Sequence, residues 1–176
     1  MKTLVLAVHP NLEESVINRR WVEELKKFPA QYTVHELNAV YPDGVIDVQK
    51  EQQLVESHGT LILQFPIFWF SCPPMVKKWL DEVLTHGWAY GSNGGDKLKG
   101  RKVALAVTAG IKREDYSAEG RYRYTLSQLL APFETTFRYT DADYRSFFAF
   151  YGAEYEPSAE TIEQSARDYV DFLQKL

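Results

Sequence analysis

The sequence of 176 residues predicts an α/β fold, a parallel sheet covered by helices on both faces, and two observations carry that prediction. Strand-like and helix-like segments alternate along the whole chain, which is the pattern of a doubly wound sheet. Two strand candidates, Lys2 to Val8 and Thr60 to Phe65, are apolar runs, as expected of strands buried on both faces. With 45% hydrophobic and 25% charged residues, we expect one globular domain spanning residues 1–176.

The first half of the chain continues the alternation after the first strand. A helix is predicted from Ser15 to Phe28, since apolar residues recur there at helical spacing and Ser15 is a suitable N-cap. A weaker strand follows at Gln31 to Leu37, and the YPDG segment after it is typical of a turn. A short polar helix, Val48 to Ser57, then leads to the third strand.

The second half repeats the pattern. Pro74 opens a helix, a loop rich in Gly, Tyr and Asn runs from Trp88 to Gly100, and the fourth strand is predicted at Val103 to Thr108. The last strand candidate is Phe147 to Tyr151, and a terminal helix starts at Ser158. Between these strands we expect one helix with an apolar stripe made of Leu126, Leu129, Leu130, Phe133 and Phe137.

Composition and charge exclude several classes of function. A net charge of −4 and a pI near 5.6 argue against nucleic-acid binding, which needs a concentrated basic face. The single cysteine, Cys72, excludes an internal disulfide and a cysteine-rich zinc site, and we expect no metal. It also fits a reducing compartment, and the apolar runs are too short for a signal peptide or a membrane span, so we expect a cytoplasmic protein.

Ligands of doubly wound folds bind beyond the carboxyl ends of the strands, which points to the loops after strands one, three and four. The first of these, from His9 to Ser15, lacks both the GxGxxG and the GK(S/T) patterns of nucleotide-binding loops. It still leads into a helix N-terminus that suits a phosphate, with Ser15 and Asn18 as further hydrogen-bonding groups. In the alternative interpretation, Ser15 only caps the helix and His9 only packs.

The second loop, from Gln64 to Pro74, crowds four aromatic residues into a strand-to-helix connection, where polar residues are usual. A platform of aromatic rings with free main-chain amides matches a flat flavin ring. The alternative is that these rings belong to the core or to a dimer interface. In the third loop, Gly110 allows close approach of a ligand and Tyr116 supplies a phenolic hydroxyl.

These residues form a family pattern. The chain resembles the flavodoxin-2 type NAD(P)H:quinone oxidoreductases, which include DT-diaphorase, the modulator-of-drug-activity proteins and the ancillary oxidoreductases of potassium efflux antiporters. The resemblance runs from about Lys2 to Phe150 and implies a flavodoxin-like, five-stranded parallel sheet of order 2-1-3-4-5. Its markers are His9-Pro10 with Ser15 and Asn18, YPDGVID followed by Glu51-Gln52, QFPIFWFSCPPMVKKWLDEVL, HGWAYG and VTAG.

The resemblance implies a bound flavin, FMN or FAD. Its phosphate and ribityl chain would contact the first loop and helix, at His9, Ser15, Val16, Ile17 and Asn18. Its ring would lie along the aromatic loop, at Ile67, Phe68, Trp69 and Phe70. Its pyrimidine side would face the third loop, at Thr108, Ala109, Gly110 and Ile111, the last standing where the family usually has a second glycine.

Two tyrosines are the candidate catalytic residues that the resemblance implies. Tyr116 matches a tyrosine that contacts flavin and substrate in DT-diaphorase. Tyr122 stands where the DT-diaphorase pattern has a histidine with a proton-relay role.

The implied activity is transfer of a hydride from NADPH or NADH through the flavin to a quinone-like acceptor, in a ping-pong cycle. In such a family a second subunit completes the site, and the aromatic loop with Trp88 and Tyr90 favours a homodimer here. The alternative is an ancillary regulatory subunit of a glutathione-gated potassium efflux antiporter, with secondary oxidoreductase activity. An electron-carrier flavodoxin would usually be more acidic and lack the tryptophan-rich segments.

Overall fold

Five strands form one parallel sheet in the computed structural model, which describes every residue from Met1 to Leu176. They are β1 (Thr3–Ala7), β2 (Tyr32–Glu36), β3 (Thr60–Pro66), β4 (Lys102–Ala109) and β5 (Asp143–Tyr151). The order is β2-β1-β3-β4-β5, with every neighbouring pair parallel, so the predicted flavodoxin-like order is confirmed. Because all strands run the same way, the loops after β1, β3 and β4 emerge at one edge of the sheet.

Helices connect the strands on both faces of the sheet. They are α1 (Val16–Lys26), α2 (Leu37–Val40), α3 (Val48–Glu56), α4 (Pro74–Val83), α5 (Leu126–Leu129), α6 (Ala131–Tyr139) and α7 (Ala159–Gln174). Side-chain caps fix several of their starts, and the predicted cap of α1 is confirmed: Ser15 accepts from the main chain of Asn18 at 3.2 Å. None of the helices is both long and apolar enough to cross a membrane.

The core lies in two layers, one on each face of the sheet. Successive residues of the central strand β4 point to opposite faces, so Leu105 belongs to one layer and Ala106 to the other. The first layer is covered by α3, α4 and α6, and the second by α1 and α7. Trp21 of α1, fully buried in the second layer, donates from Nε1 to Ser165 Oγ of α7 at 3.0 Å.

A buried carboxylate joins three elements beside the first layer. Glu51 of α3 has no exposed surface, and its Oε1 accepts from Tyr41 at 2.8 Å and contacts Nε2 of His35 on β2 at 2.8 Å. Its Oε2 accepts from Nε1 of Trp79 on α4 at 2.9 Å. Burial acts to raise the pKa of Glu51, but the hydrogen bonds from His35, Trp79 and Tyr41 outweigh it and leave that pKa below its usual value.

Three elements differ from the sequence-based expectation. The single helix expected at Leu126 to Phe137 is two helices that meet at Leu130, because Pro132 has no N–H to bond to a preceding turn. The short helix α2 was not predicted, since one turn is too brief for a periodic pattern. Strand β5 starts four residues before Phe147, at Asp143, where exposed polar side chains on the open sheet edge hide the apolar signal.

Candidate functional site

Two adjoining cavities lie at the carboxyl edge of the sheet, over β1, β3 and β4. The first, about 240 Å³, is lined by the start of α1 and by the loops after β1, β3 and β4. The second, about 480 Å³, is lined mainly by the aromatic loop after β3 and the loop after β4. They share Ile67, Phe68, Gly110 and Glu154, so they form one groove. The three loops that the sequence pointed to therefore meet in one place.

The start of α1 closes the first cavity. Val16 and Ile17 occupy the first helical turn, where main-chain N–H groups have no acceptor within the helix. Both residues line the cavity, together with Ser15, and no lysine or arginine does. The positive end of the helix dipole is worth about half an elementary charge. The end of the groove at the start of α1 is therefore suited to bind an anion through main-chain N–H groups.

His9, two residues after the end of β1, lines the same cavity. Its Nδ1 accepts from the main-chain N–H of Asn11 at 3.1 Å. Burial lowers the pKa of His9 below its usual value, so the ring is neutral near pH 7. Because Nδ1 accepts, the proton is on Nε2, which is left as a hydrogen-bond donor.

A buried hydrogen-bond network forms the floor of the first cavity. Asn18, 3% exposed, donates from Nδ2 to Oγ1 of Thr108 at 2.8 Å. Gln64 on β3 donates from Nε2 to the main-chain and side-chain oxygens of Asn18 at 3.1 and 3.3 Å. The amide of Asn18, expected as a ligand contact, therefore mainly orders the floor. The hydroxyl hydrogen of Thr108 has no acceptor in the protein, which leaves it free to donate into the cavity.

The aromatic loop contains a tight turn with unusual backbone geometry. The N–H of Ser71 donates to the carbonyl of Phe68 at 2.9 Å, and the two central residues, Trp69 and Phe70, have φ of 48° and 61°. Bulky residues rarely adopt these left-handed angles, which cost about 1–3 kcal/mol each. The N–H groups of Trp69 and Phe70 donate to no main-chain carbonyl, whereas Phe68 pairs with Ser71 in an antiparallel bridge. The turn presents free amides and aromatic rings on one wall of the second cavity.

The rings of this turn are poorly covered by the rest of the chain. Trp69 is 95% exposed, and Phe68 and Phe70 are exposed by more than a third of their surface. Contiguous exposed apolar surface usually marks a site for a ligand or a partner. The indole of Trp69 thus lines the cavity without closing it.

Tyr116 lines the second cavity together with the turn. Its side chain is 7% exposed and its ring meets that of Tyr151 at 5.7 Å between centroids. Burial first, and then the nearby Tyr151, Tyr122 and Glu154, raise the pKa of Tyr116 to about 12. The phenol therefore stays protonated at neutral pH. It is a hydrogen-bond donor, and its hydroxyl has no acceptor in the protein.

A fourth loop, which sequence reasoning missed, completes the groove. After β5, main-chain N–H groups of Gly152, Ala153 and Glu154 donate to the carbonyls of Ile111, Ala109 and Gly110, at 2.8, 3.0 and 3.1 Å. Ala153 and Glu154 thereby line the first cavity, as does Pro66. The only signal in the sequence is Gly152, whose φ of 75° marks a turn directly after the strand.

Most of the predicted site residues lie on the groove, but two of them, and one residue expected at a dimer interface, lie elsewhere. Ala109 is buried and contributes only its main chain, and Tyr122 packs its ring on Phe70 at 5.0 Å without lining either cavity. Trp88, expected at a dimer interface, is buried in its own chain and donates from Nε1 to Glu56 at 2.7 Å. Trp88 therefore exposes little surface to a second copy, and the expected homodimer stays a prediction.

Comparison with known proteins finds relatives that match almost the whole length of the chain. A family model described as a flavodoxin-like fold matches residues 1–173. An uncharacterized NAD(P)H oxidoreductase of Bacillus subtilis is 46% identical over 173 residues, which are 98% of both chains. The ancillary protein KefG of the glutathione-regulated potassium-efflux system of Erwinia tasmaniensis is 37% identical over 174 residues, 98% of this chain and 92% of the relative.

Solved structures share the same architecture. General stress protein 14 of Treponema denticola, crystallised in complex with FMN, is 48% identical, has a TM-score of 0.94 and covers 99% of both chains. An NADPH-quinone reductase from P. pentosaceus is 26% identical, with a TM-score of 0.87 over 98% of this chain and 97% of that chain.

Proposed function

The chain belongs to the flavodoxin-2 family, and from that membership we propose that it is a flavoenzyme that binds FMN and transfers two electrons from NAD(P)H to a quinone-like acceptor. The observation that carries the proposal is the groove itself. One end of the groove has the free main-chain amides of α1, and the other end has aromatic rings, free amides and the protonated phenol of Tyr116. A phosphate, a polyol chain and a flat ring need donors and surfaces of these kinds in this order.

The residues of the first cavity fit the phosphate and ribityl chain. The N–H groups of Val16 and Ile17 would hold the phosphate, with Nε2 of His9 and the hydroxyl of Ser15 beside it. The free hydroxyl hydrogen of Thr108 would reach a ribityl oxygen. We propose FMN rather than FAD because the similar structure from T. denticola was solved with FMN.

The second cavity fits the ring. Bound flavin supplies the hydride chemistry, and the protein supplies position and electrostatics. Phe68 and Trp69 would flank the ring and keep water from it, while amides of the turn would bond its polar rim. Tyr116 would donate a hydrogen bond to the negative charge that forms on reduction, as oxyanion donors do in other enzymes.

The open face of the groove supports the remaining proposals. Nicotinamide and acceptor would use the same slot in turn, which is a ping-pong cycle, and the name of the P. pentosaceus reductase supports a quinone. The 95% exposed Trp69 supports a homodimer in which a second copy covers the slot. The single half-buried cysteine supports a reducing, cytoplasmic location.

A second candidate function rests on the similarity to KefG, the named ancillary protein of a potassium-efflux system. The chain would then dock on an antiporter and regulate it, with oxidoreductase activity in second place. Co-purification of a membrane antiporter with the tagged chain would favour this function.

The test of the main proposal is spectroscopic. Purified protein is titrated with FMN while flavin fluorescence is recorded, and then mixed anaerobically with NADPH or NADH while flavin absorbance is followed. We expect saturable quenching, bleaching by the nicotinamide and recovery of the yellow colour on adding benzoquinone. A colourless protein that takes up no FMN would overturn the proposal. Light scattering on the same sample tests the dimer, and a monomer at micromolar concentration contradicts it.

A further inference from the structure

Glu154 is the acidic side chain of the groove. Its main chain is fixed, because its N–H donates to the carbonyl of Gly110 at 3.1 Å and Ala153 makes a parallel bond to Ala109 at 3.0 Å. The backbone of the fourth loop is therefore tied to the third loop at the point where both meet the groove. The side chain of Glu154 is thus carried by an anchored main chain and not by a free loop tip.

The carboxylate of Glu154 lies over Gly110. A Cβ built on residue 110 would collide with Oε1, and would lie 2.6 Å from Cδ. Any side chain at residue 110 would push this carboxylate away. The contact shows that Glu154, 44 residues later in sequence, reaches Gly110 in the folded chain, although its flexible carboxylate could move aside for a larger residue.

The carboxylate also lines both cavities, and it forms no hydrogen bond or ion pair within the protein. The basic residues at the start of the third loop lie over aromatic rings. Lys112 lies over Tyr155 at 4.8 Å and Arg113 lies over Tyr151 at 4.5 Å. The carboxylate of Glu154 therefore faces the place where the two cavities join without forming an ion pair, while the ammonium of Lys112 lies over the ring of the adjacent Tyr155.

We propose that Glu154 sets the reduction potential of the bound flavin, by placing a negative charge beside the ring. This inference rests on the proposed function. The oxidised ring is neutral, and two-electron reduction adds negative charge to it, so a neighbouring carboxylate disfavours the reduced form. Glu154 thereby lowers the potential and makes the reduced cofactor a stronger donor to the acceptor.

Two residues of the groove would then have opposite effects on the stability of the reduced flavin. Tyr116, a protonated donor, favours the reduced ring, while Glu154 disfavours it, and both line the second cavity. Tyr116 is buried, whereas Glu154 is exposed at the rim, so solvent weakens the effect of the carboxylate. We therefore expect an effect of moderate size that shrinks as salt is added.

The experiment compares Glu154→Gln with the wild-type chain. Glu156→Gln is the matched control. Glu156 lies two residues after Glu154, its side chain is exposed and lines neither cavity, and the substitution removes the same charge. For each FMN-loaded protein the midpoint potential is measured by equilibration with a reference dye, and the Kd of oxidised FMN by fluorescence quenching. Neither readout depends on turnover.

We expect the preference of Glu154→Gln for reduced over oxidised FMN to be about tenfold greater than that of wild type. This raises the midpoint potential by about 30 mV for a two-electron couple. Glu156→Gln should match wild type. Equal potentials for Glu154→Gln and wild type, in proteins that both bind FMN, overturn this inference alone. An equal rise in Glu156→Gln also overturns it, because the effect would then be one of net charge. A wild-type protein that binds no FMN overturns the proposed function as well.

Discussion

Asn18 on the first helix donates a hydrogen bond to the hydroxyl of Thr108 at the end of the fourth strand, across 2.8 Å and 90 residues of sequence. The bond joins two of the loops that form the groove. Gln64 on the intervening strand holds the other end of the Asn18 amide. One side-chain network therefore fixes the start of α1 relative to the ends of β3 and β4 beneath the cavity.

Replacing Thr108 by valine tests this network. The valine keeps the shape but leaves Nδ2 of Asn18 buried without an acceptor, which costs about 1–3 kcal/mol of folding free energy. We expect that loss in urea denaturation, together with at least tenfold weaker FMN binding. Thr108→Ser keeps the hydroxyl and should stay close to wild type in both measurements. Full stability in Thr108→Val would contradict the role of the bond.

Ser15→Ala separates capping from ligand binding. Ser15 caps α1 beside the groove, and Ser158 caps α7 away from it, each through a bond of 3.2 Å to the main chain. Either alanine should cost about 1 kcal/mol of stability, the usual value of an N-cap. Only Ser15→Ala should also weaken FMN binding in a fluorescence titration. Equal FMN affinity in both variants would leave Ser15 as a cap alone.

Trp69 gives a prediction about strain. Asparagine tolerates the left-handed φ of residue 69 far better than tryptophan, and the indole buries almost nothing. Trp69→Asn should therefore raise the free energy of unfolding by about 0.5–1 kcal/mol, part of the cost of strained backbone. Quinone reductase activity should fall in the same variant. Tyr124→Asn, at an exposed site without positive φ, should not be stabilised.

Tyr116→Phe tests the phenol. The hydroxyl makes no bond within the protein, so its removal should leave stability to urea unchanged. The turnover number should fall about 10- to 100-fold if the phenol is a donor to the reduced ring, a range below that of a full oxyanion-hole donor. Tyr122→Phe, which lies behind Phe70, should lose less activity. The opposite ranking would transfer the catalytic role to Tyr122.

Glu51 gives a pH dependence. Its pKa is lowered in the folded chain, so its contribution to stability is fully present above the unfolded value, near pH 4.5. That contribution is lost as the pH falls through the lower folded pKa. The free energy of unfolding should therefore decrease from pH 5 toward pH 3, and Glu51→Gln should lose less over the same range. Urea titrations at several pH values measure both slopes.

Local patterns predicted the elements of the fold well because burial repeats with the period of each element. The apolar runs of β1, β3 and β4 and the capped stripe of α1 each have a strong signal inside their own segment. The aromatic loop after β3 was visible for the same reason, since its composition is unusual for a connection. The edge strand β5 and the break at Leu130 were less visible, because exposure and one proline override periodicity.

The sequence by itself thus determined the parallel sheet, its helices and the three loops at its carboxyl edge. Each of these features is predicted by residues that are close together in the sequence. Only the tertiary structure decided that Glu154 lies over Gly110, that Trp88 is buried and bonds to Glu56, and which rings remain exposed. Those contacts join segments far apart in sequence. They follow from strand register and the path of each connection, which no single segment encodes.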